Sequence, residues 1–473
     1  MSGFVSEALT DLFGPGDSAD PKERAARSDR LFVRGLDLLT KATSDRATGH
    51  RLTALEALDA YGFDTLCAVA VDGSAIISHS TSAAGRVLRE RREQLNIPIK
   101  TVASRSGLSV NIIEALENSA RRPVQEYERV ARVLGLDDRL ISYHPTPEGN
   151  ERVAVRLRTL ADDHPALSPS SVASLSEAAW VAMTQIRLEN QLLPSPDLPF
   201  QVSPDYGRYG RPAYAVGYDL ADDVRQKLDL GSDPIPSMRE LVESGLGIPI
   251  VQTQLDSRIA GATVDFESRR AIVLNISGTN SDPMVRRSTI AHELCHLLFD
   301  PYQHLESLRV DEYDELDRPA EERTDPVEQR ANAFAVQLLA PQTAAIDRFQ
   351  QYRGDLFVAV LNYFGLSFTA GRYQVWNGLG RSRSLNSIVS PNRKPEMDWE
   401  GREGYTLTFH PIRGLANRPS RAGRFSAIAV RSAQLGIISW NTVAEWLYCT
   451  EQEAQESRAA LADLYPDVFT DGK

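Results

Sequence analysis

A chain of 473 residues is too long for one ordinary hydrophobic core and implies several domains. Its 42% apolar and 25% charged residues are a globular balance, and its net charge of −12 excludes indiscriminate binding to nucleic acid or anionic membrane while leaving room for local basic patches. Cys67, Cys295 and Cys449 are too few and too scattered for a disulfide framework, and no signal peptide or ~20-residue membrane helix is legible, so a cytoplasmic location is expected.

Residues 1–80 read as mostly helical, because runs such as RLFVRGLDLLTKA and LTALEALDAYG carry apolar residues three and four apart. Residues 81–140 form an Arg-rich helical block. Its apolar spacing predicts about five short helices, with Gly107 at a turn and Ser109 capping the helix that follows. Residues 141–236 continue as helix to about Asn190 and then as linker, since QLLPSPDLPFQVSPDYGRYGRP is dense in Pro, Gly and Tyr. Residues 237–345 follow an α+β pattern. The runs IPIVQTQ, AGATVDF and RRAIVLNI predict strands, and two strong helices are expected at about 283–299 and 326–340. Residues 346–395 are helical again. Residues 396–473 combine one strand-like run, YTLTFHPI, with further helices, giving a C-terminal α+β region that can sense a signal or bind substrate. Trp376, Trp440 and Trp446 read as core residues.

The first of the two strong helices holds His292-Glu293-Leu294-Cys295-His296. Asp282 can cap it, and Pro283 suits its first position. Residues four apart share a helical face, so both imidazoles can reach one ion. Glu293 is turned about 100° from His292 and can act on water there without being a ligand. A third ligand must come from elsewhere, and the best candidate is Glu328, in DPVEQRANAFAVQLLAP. Asn332, four residues on, shares its face and can orient a histidine from behind. His304 is a rival ligand in a loop, and Cys295 points to another face and is expected to pack.

IAHELCHLLF followed by EQRANAFAVQLLAP resembles the ImmA/IrrE family of metallo-endopeptidases, which accompany bacterial and phage regulators. The resemblance covers roughly residues 237–345. It implies a zincin-like, gluzincin-type α+β peptidase domain, with Zn2+ held by His292, His296 and Glu328 and with Glu293 as the catalytic base. Glu293 would take a proton from water and return it to the leaving amine. RRAIVLNI could pair with an extended substrate. Tyr302, Tyr313 and His410 are candidates for oxyanion stabilisation by residue type alone. The acidic insert VDEYDELDRPAEERTD is longer than a compact member of the family needs; it is either a solvated loop or a lid or regulatory flap.

The block at 82–137 resembles the Cro/CI-type (XRE) helix-turn-helix family over its whole length. It carries ten basic and seven acidic residues in an otherwise acidic chain. The resemblance implies that the helix after Gly107 enters a major groove. Ser109, Asn111, Arg105, Arg121 and Arg122 are the expected DNA contacts, with Asn111 the only good base reader among Val110, Asn111, Ile112 and Glu114. Ile99 stands where the family often has Gln. A dimerisation or docking module is the alternative for this block.

The expected whole is a multidomain, mainly α protein: a regulatory zinc endopeptidase whose protein partner, by family resemblance, is a transcriptional repressor. The alternative is a DNA-binding regulator whose metal domain senses or binds without proteolysis.

Overall fold

The structure, a computed structural model, describes residues 2–43, 48–78, 80, 82–141, 143, 167–192, 211–266, 269–300, 308–312, 326–380, 395–403 and 410–470. They fall into two compact units, residues 1–194 with 407–473, and residues 195–406. The N-terminal region, the Arg-rich block and most of the C-terminal region are therefore not separate bodies.

The first unit opens with α1 (Ser2–Phe13) and α2 (Pro21–Ala26). RLFVRGLDLLTKA is not a helix. It folds as β1 (Leu31–Arg34) and β2 (Leu38–Lys41), with the Gly35 N–H donating to Leu38 O at 2.8 Å. Its apolar spacing fits two short strands as well as a helix, and inward burial of Phe32 and Leu39 decides for strands. β3 (His50–Thr53), α3 (Ala54–Asp72) and β4 (Ser74–Ile76) follow, giving an antiparallel sheet in the order β3-β1-β2-β4.

The block at 82–141 folds as α4 (Ala83–Gln94), α5 (Ile99–Ser106), α6 (Val110–Glu117) and α7 (Val124–Val133). A single 3-10 turn, Asp138–Leu140, stands where the sequence suggests a fifth helix. Gly107 ends α5 in the left-handed region, at φ 73°, where a side chain would be strained. Ser109 Oγ accepts the Ile112 N–H and starts α6. The long α8 (Pro169–Leu192) closes this part of the chain.

The second unit begins with α9 (Ala213–Lys227), inside the stretch expected to be linker. Val216, Leu220 and Val224, four apart, form its buried stripe; the Pro/Gly/Tyr density lies upstream of it. α10 (Met238–Glu240) runs into a π-helical turn, Leu241–Gly245. Then come β5 (Ile250–Thr253), β6 (Ile259–Phe266), β7 (Arg269–Asn275), α11 (Pro283–Phe299), β8 (Leu308–Glu312) and α12 (Pro326–Leu339). The sheet order is β5-β7-β6-β8, parallel between β5 and β7 and antiparallel elsewhere. β7, read from sequence as a strand to pair with substrate, has neighbours on both sides. α13 (Gln342–Gln351), α14 (Phe368–Gly378) and α15 (Trp399–Glu403) complete this unit, so residues 396–403 belong here and not with the C-terminal region.

One apolar core joins these elements. Leu294, Cys295 and Leu298 of α11, Phe334 and Leu338 of α12, Leu220 and Val224 of α9, and Val360 and Phe364 all lie in it. At Gly217 an added Cβ would stand 2.3 Å from Arg330 O, so α9 and α12 cross closer than any other residue would permit.

The chain then returns to the first unit through α16 (Pro419–Ala422), α17 (Arg424–Gln434), α18 (Trp440–Leu447), α19 (Glu451–Glu456), α20 (Arg458–Leu464) and α21 (Pro466–Phe469). Most of YTLTFHPI lies outside the described residues, and residues 410–470 contain no strand. Buried ion pairs knit distant parts of this unit. Glu128 of α7 binds Arg34 at 2.7 Å and His50 at 2.6 Å. Burial alone would raise its pKa, but these two cations hold it at about 2. Asp138 accepts from Arg132 at 2.8 Å, from Trp180 Nε1 at 3.2 Å and from Trp446 Nε1 at 3.0 Å. Removing one partner of such a buried pair costs about 3–5 kcal/mol. No described helix is long and apolar enough to cross a membrane.

Candidate metal centre and helix-turn-helix surface

Asp282 Oδ1 accepts the Met284 N–H at 2.8 Å, and Pro283 fills the first position of α11. The helix continues unbroken through His292, Glu293 and His296, all buried. Arg287, a turn and a half before His292, anchors it. Its guanidinium lies 4.1 Å over Trp399, donates to Ile235 O at 2.8 Å and pairs with Glu403. Burial lowers the Arg287 pKa from its ordinary value.

α11 and α12 bring Glu328 up to two histidines that precede it by 36 and 32 residues in sequence. His292 Nε2 and His296 Nε2 are 3.0 Å apart. Glu328 Oε2 is 3.2 Å from the first, and Glu328 Oε1 is 3.6 Å from the second. One ligand atom from each of these residues lies within 4.8 Å of the others.

The tautomers follow from what stands behind each ring. Asn332 Nδ2 donates to Glu328 O at 2.8 Å, so its Oδ1, 3.1 Å from His292 Nδ1, accepts from that ring. His296 Nδ1 meets the Asp300 carboxylate at 2.6 Å and donates to it. In each neutral imidazole the remaining nitrogen, Nε2, then carries a lone pair. With both rings neutral, two lone pairs and a carboxylate converge, an arrangement that a divalent cation fits.

Asn332, named from the sequence, lies against the His292 ring. Asp300 and Arg330 were not anticipated. Asp300 ends α11 one turn after His296, and Arg330 pairs with it from α12. The spacing His296-xxx-Asp300 was the available signal. Cys295 lies in the apolar core. His304, Tyr302 and Tyr313 lie outside the described residues, and His410 belongs to the other unit.

Glu293 is fully buried against β6. A Cβ added at Gly261 would stand 2.8 Å from Glu293 Oε1, so glycine there makes room for the carboxylate. Thr289, one turn earlier, donates to Asn280 Oδ1 at 3.0 Å, and Asn280 Nδ2 donates to Ala260 O at 2.8 Å. These bonds fix α11 against β6 at the residue beside Gly261.

On the helix-turn-helix block, Ser109, Asn111 and Arg121 are exposed. Arg122 is bound to Glu126 at 2.6 Å. Arg105 is turned into its own unit, with its guanidinium on Glu177 at 2.6 Å and on Ser174 at 2.8 Å. Arg92 is likewise held by Glu117 at 2.5 Å.

A family model described as an IrrE N-terminal-like domain, of the M78 peptidases, matches residues 244–375. A second, described as a helix-turn-helix domain, matches residues 83–142. The first match spans β5 to α14 and contains both helices of the candidate centre; the second spans α4 to the 3-10 turn. No curated protein matches the chain.

Proposed function

The chain carries a peptidase domain of the ImmA/IrrE family behind a helix-turn-helix domain, and from that premise we propose that it is a zinc-dependent regulatory endopeptidase acting on a protein partner, a transcriptional repressor. Its domain at 237–345 has a zincin-like fold in this reading. The single observation that carries it is the convergence of His292 Nε2, His296 Nε2 and the Glu328 carboxylate, with Glu293 next to the first histidine.

Two histidines and one carboxylate are a catalytic zinc set, which leaves a coordination position for water or substrate. When bound, zinc supplies Lewis acidity towards water and the scissile carbonyl. Glu293 takes the proton from the attacking water and delivers it to the departing amine. Asn332 and Asp300 keep the two rings in the tautomer and orientation that ligation needs. The helix-turn-helix domain brings the peptidase to DNA or to its DNA-bound partner. Asn111 reads a base there, while Ser109, Arg121 and Arg122 meet phosphates.

Glu293→Gln tests the reading. It keeps the three ligands, so zinc content measured on purified protein stays at one per chain while cleavage of the co-expressed repressor stops. Full biological effect in the Gln variant would instead favour a DNA-binding regulator whose metal domain does no hydrolysis.

A further inference from the structure

The acidic connection between the two metal helices contributes one described element, β8, and its position bears on how a substrate reaches Glu293. Among the described strands, β6 is the one whose Gly261 abuts the Glu293 carboxylate. One edge of β6 is paired to β7. The other is paired to β8, with Gly261 opposite Asp311, Ala262 opposite Val310, Thr263 opposite Arg309 and Val264 opposite Leu308. The ladder is irregular between Ile259 and Gly261, beside the base; such bulges concentrate next to active sites. A peptide recognised by strand addition needs an open row of backbone N–H and C=O groups. On β6 that row is already used.

We infer that β8 is a self-supplied occupant of the substrate edge. Leu308–Glu312 lies along β6 in place of an extended protein segment, and the peptidase admits such a segment only when β8 leaves. This rests on the peptidase reading above. Three features fit a displaceable occupant. β8 is only five residues long, so its pairing is marginal by itself. Among the described residues it is an edge strand, with no further strand beyond it. Its sequence, LRVDE, has three charged residues out of five and belongs to a connection rich in Asp and Glu. The partner expected at the edge is an unfolded or extended protein segment of at least four residues, running antiparallel to β6.

The test uses the full chain in a Glu293→Gln background, so that nothing is cleaved. The probe is a fluorescein-labelled peptide of residues 306–314, ESLRVDEYD. In one variant residues 308–312 are replaced by Gly-Ser-Gly-Ser-Gly; in another Val310→Pro breaks the ladder with a single change. The peptide is expected to bind either variant at least tenfold more tightly than the chain with β8 intact. Amide exchange of those residues of 259–264 whose N–H faces β8 should be fast in both variants and slowed again by the peptide, while those bonded to β7 stay protected. Equal affinity in all three proteins, no binding to any, or β6 amides equally protected with and without β8 would overturn the inference. If the Gly/Ser chain does not fold by circular dichroism, Val310→Pro carries the same comparison. Binding is read without catalysis, so an inactive wild-type chain would remove the peptidase reading and leave this result standing.

Discussion

Asp300 holds His296 from one helical turn below, its Oδ2 2.6 Å from the ring Nδ1, while its other oxygen takes Arg330 from the neighbouring helix. One carboxylate therefore sets a ring orientation on α11 and ties α11 to α12, which carries Glu328. Removing it frees the imidazole to rotate and loosens the helix that carries Glu328. Asp300→Ala is expected to lower zinc affinity by about 10- to 100-fold, as loss of such an outer partner does elsewhere. Titration against a chelator of known affinity measures this. Wild-type affinity in the variant would show that the pair is only a helix-end contact.

Gly261 makes a different demand. An alanine Cβ would sit 2.8 Å from Glu293 Oε1 and 3.2 Å from Val273 O. The carboxylate is the end of a flexible side chain and can give way; the Val273 carbonyl is backbone and can yield only slightly. Gly261→Ala should therefore fold and bind zinc while its base is displaced. A misplacement of about 1 Å costs on the order of 100-fold in rate, and the loss should fall on kcat. Cleavage kinetics beside zinc content decide it: an unchanged kcat would mean that Glu293 acts from another rotamer.

How far the sequence disclosed this protein depended on the range of the interaction. His292, Glu293 and His296 lie within one turn or so of one helix, and Glu328 with Asn332 repeats the four-residue spacing on another, so a short window along the chain contains each set. Asp300 obeys the same i, i+4 rule, but it caps the helix end, where the periodicity that marks α11 stops. The β1–β2 hairpin resembles a helix in sequence, since four-residue strands are too short to separate a period of 2 from one of 3.6. α9 was hidden by its Pro- and Tyr-rich upstream neighbour, although Val216, Leu220 and Val224 show its stripe. Nothing local announces that His50 Nε2 lies 2.9 Å from Thr442 Oγ1, 392 residues away. Contacts of that kind join the N-terminal sheet to the C-terminal helices, and no window along the chain contains both partners.

The Glu177 carboxylate gives a prediction for acid stability. It is buried, which alone would raise its pKa, yet Arg421 and Arg105 bring it down to about 2. An unfolded glutamate titrates near about 4.3. Because the folded value is depressed, the stabilisation is complete above the unfolded value and disappears as pH falls from about 4.3 towards about 2. Its size is on the order of 2–3 kcal/mol. Glu177→Gln should therefore destabilise the first unit at pH 7 and flatten the acid limb of its stability profile. Urea melts followed by tryptophan fluorescence between pH 3 and pH 7 read this directly; parallel profiles for wild type and variant would contradict it.

Arg105 and Asn111 were both expected at DNA, and the structure separates them. Asn111 is exposed on α6 and makes none of the buried contacts that hold its unit together. Arg105 donates to Glu177 and Ser174, and the Arg418 guanidinium donates to its carbonyl at 2.8 Å. Removing its side chain leaves Glu177 with Arg421 as its cation partner among the described residues. Arg105→Ala should thus lower the stability of the first unit by about 1–3 kcal/mol and leave the salt dependence of DNA binding unchanged. Asn111→Ala should do the reverse, keeping the unfolding midpoint while costing about 1–3 kcal/mol of discrimination at one base pair. Binding to selected duplexes across a salt series, paired with denaturant melts, separates the two. A reduced salt slope in Arg105→Ala, with stability intact, would return that arginine to the phosphate backbone.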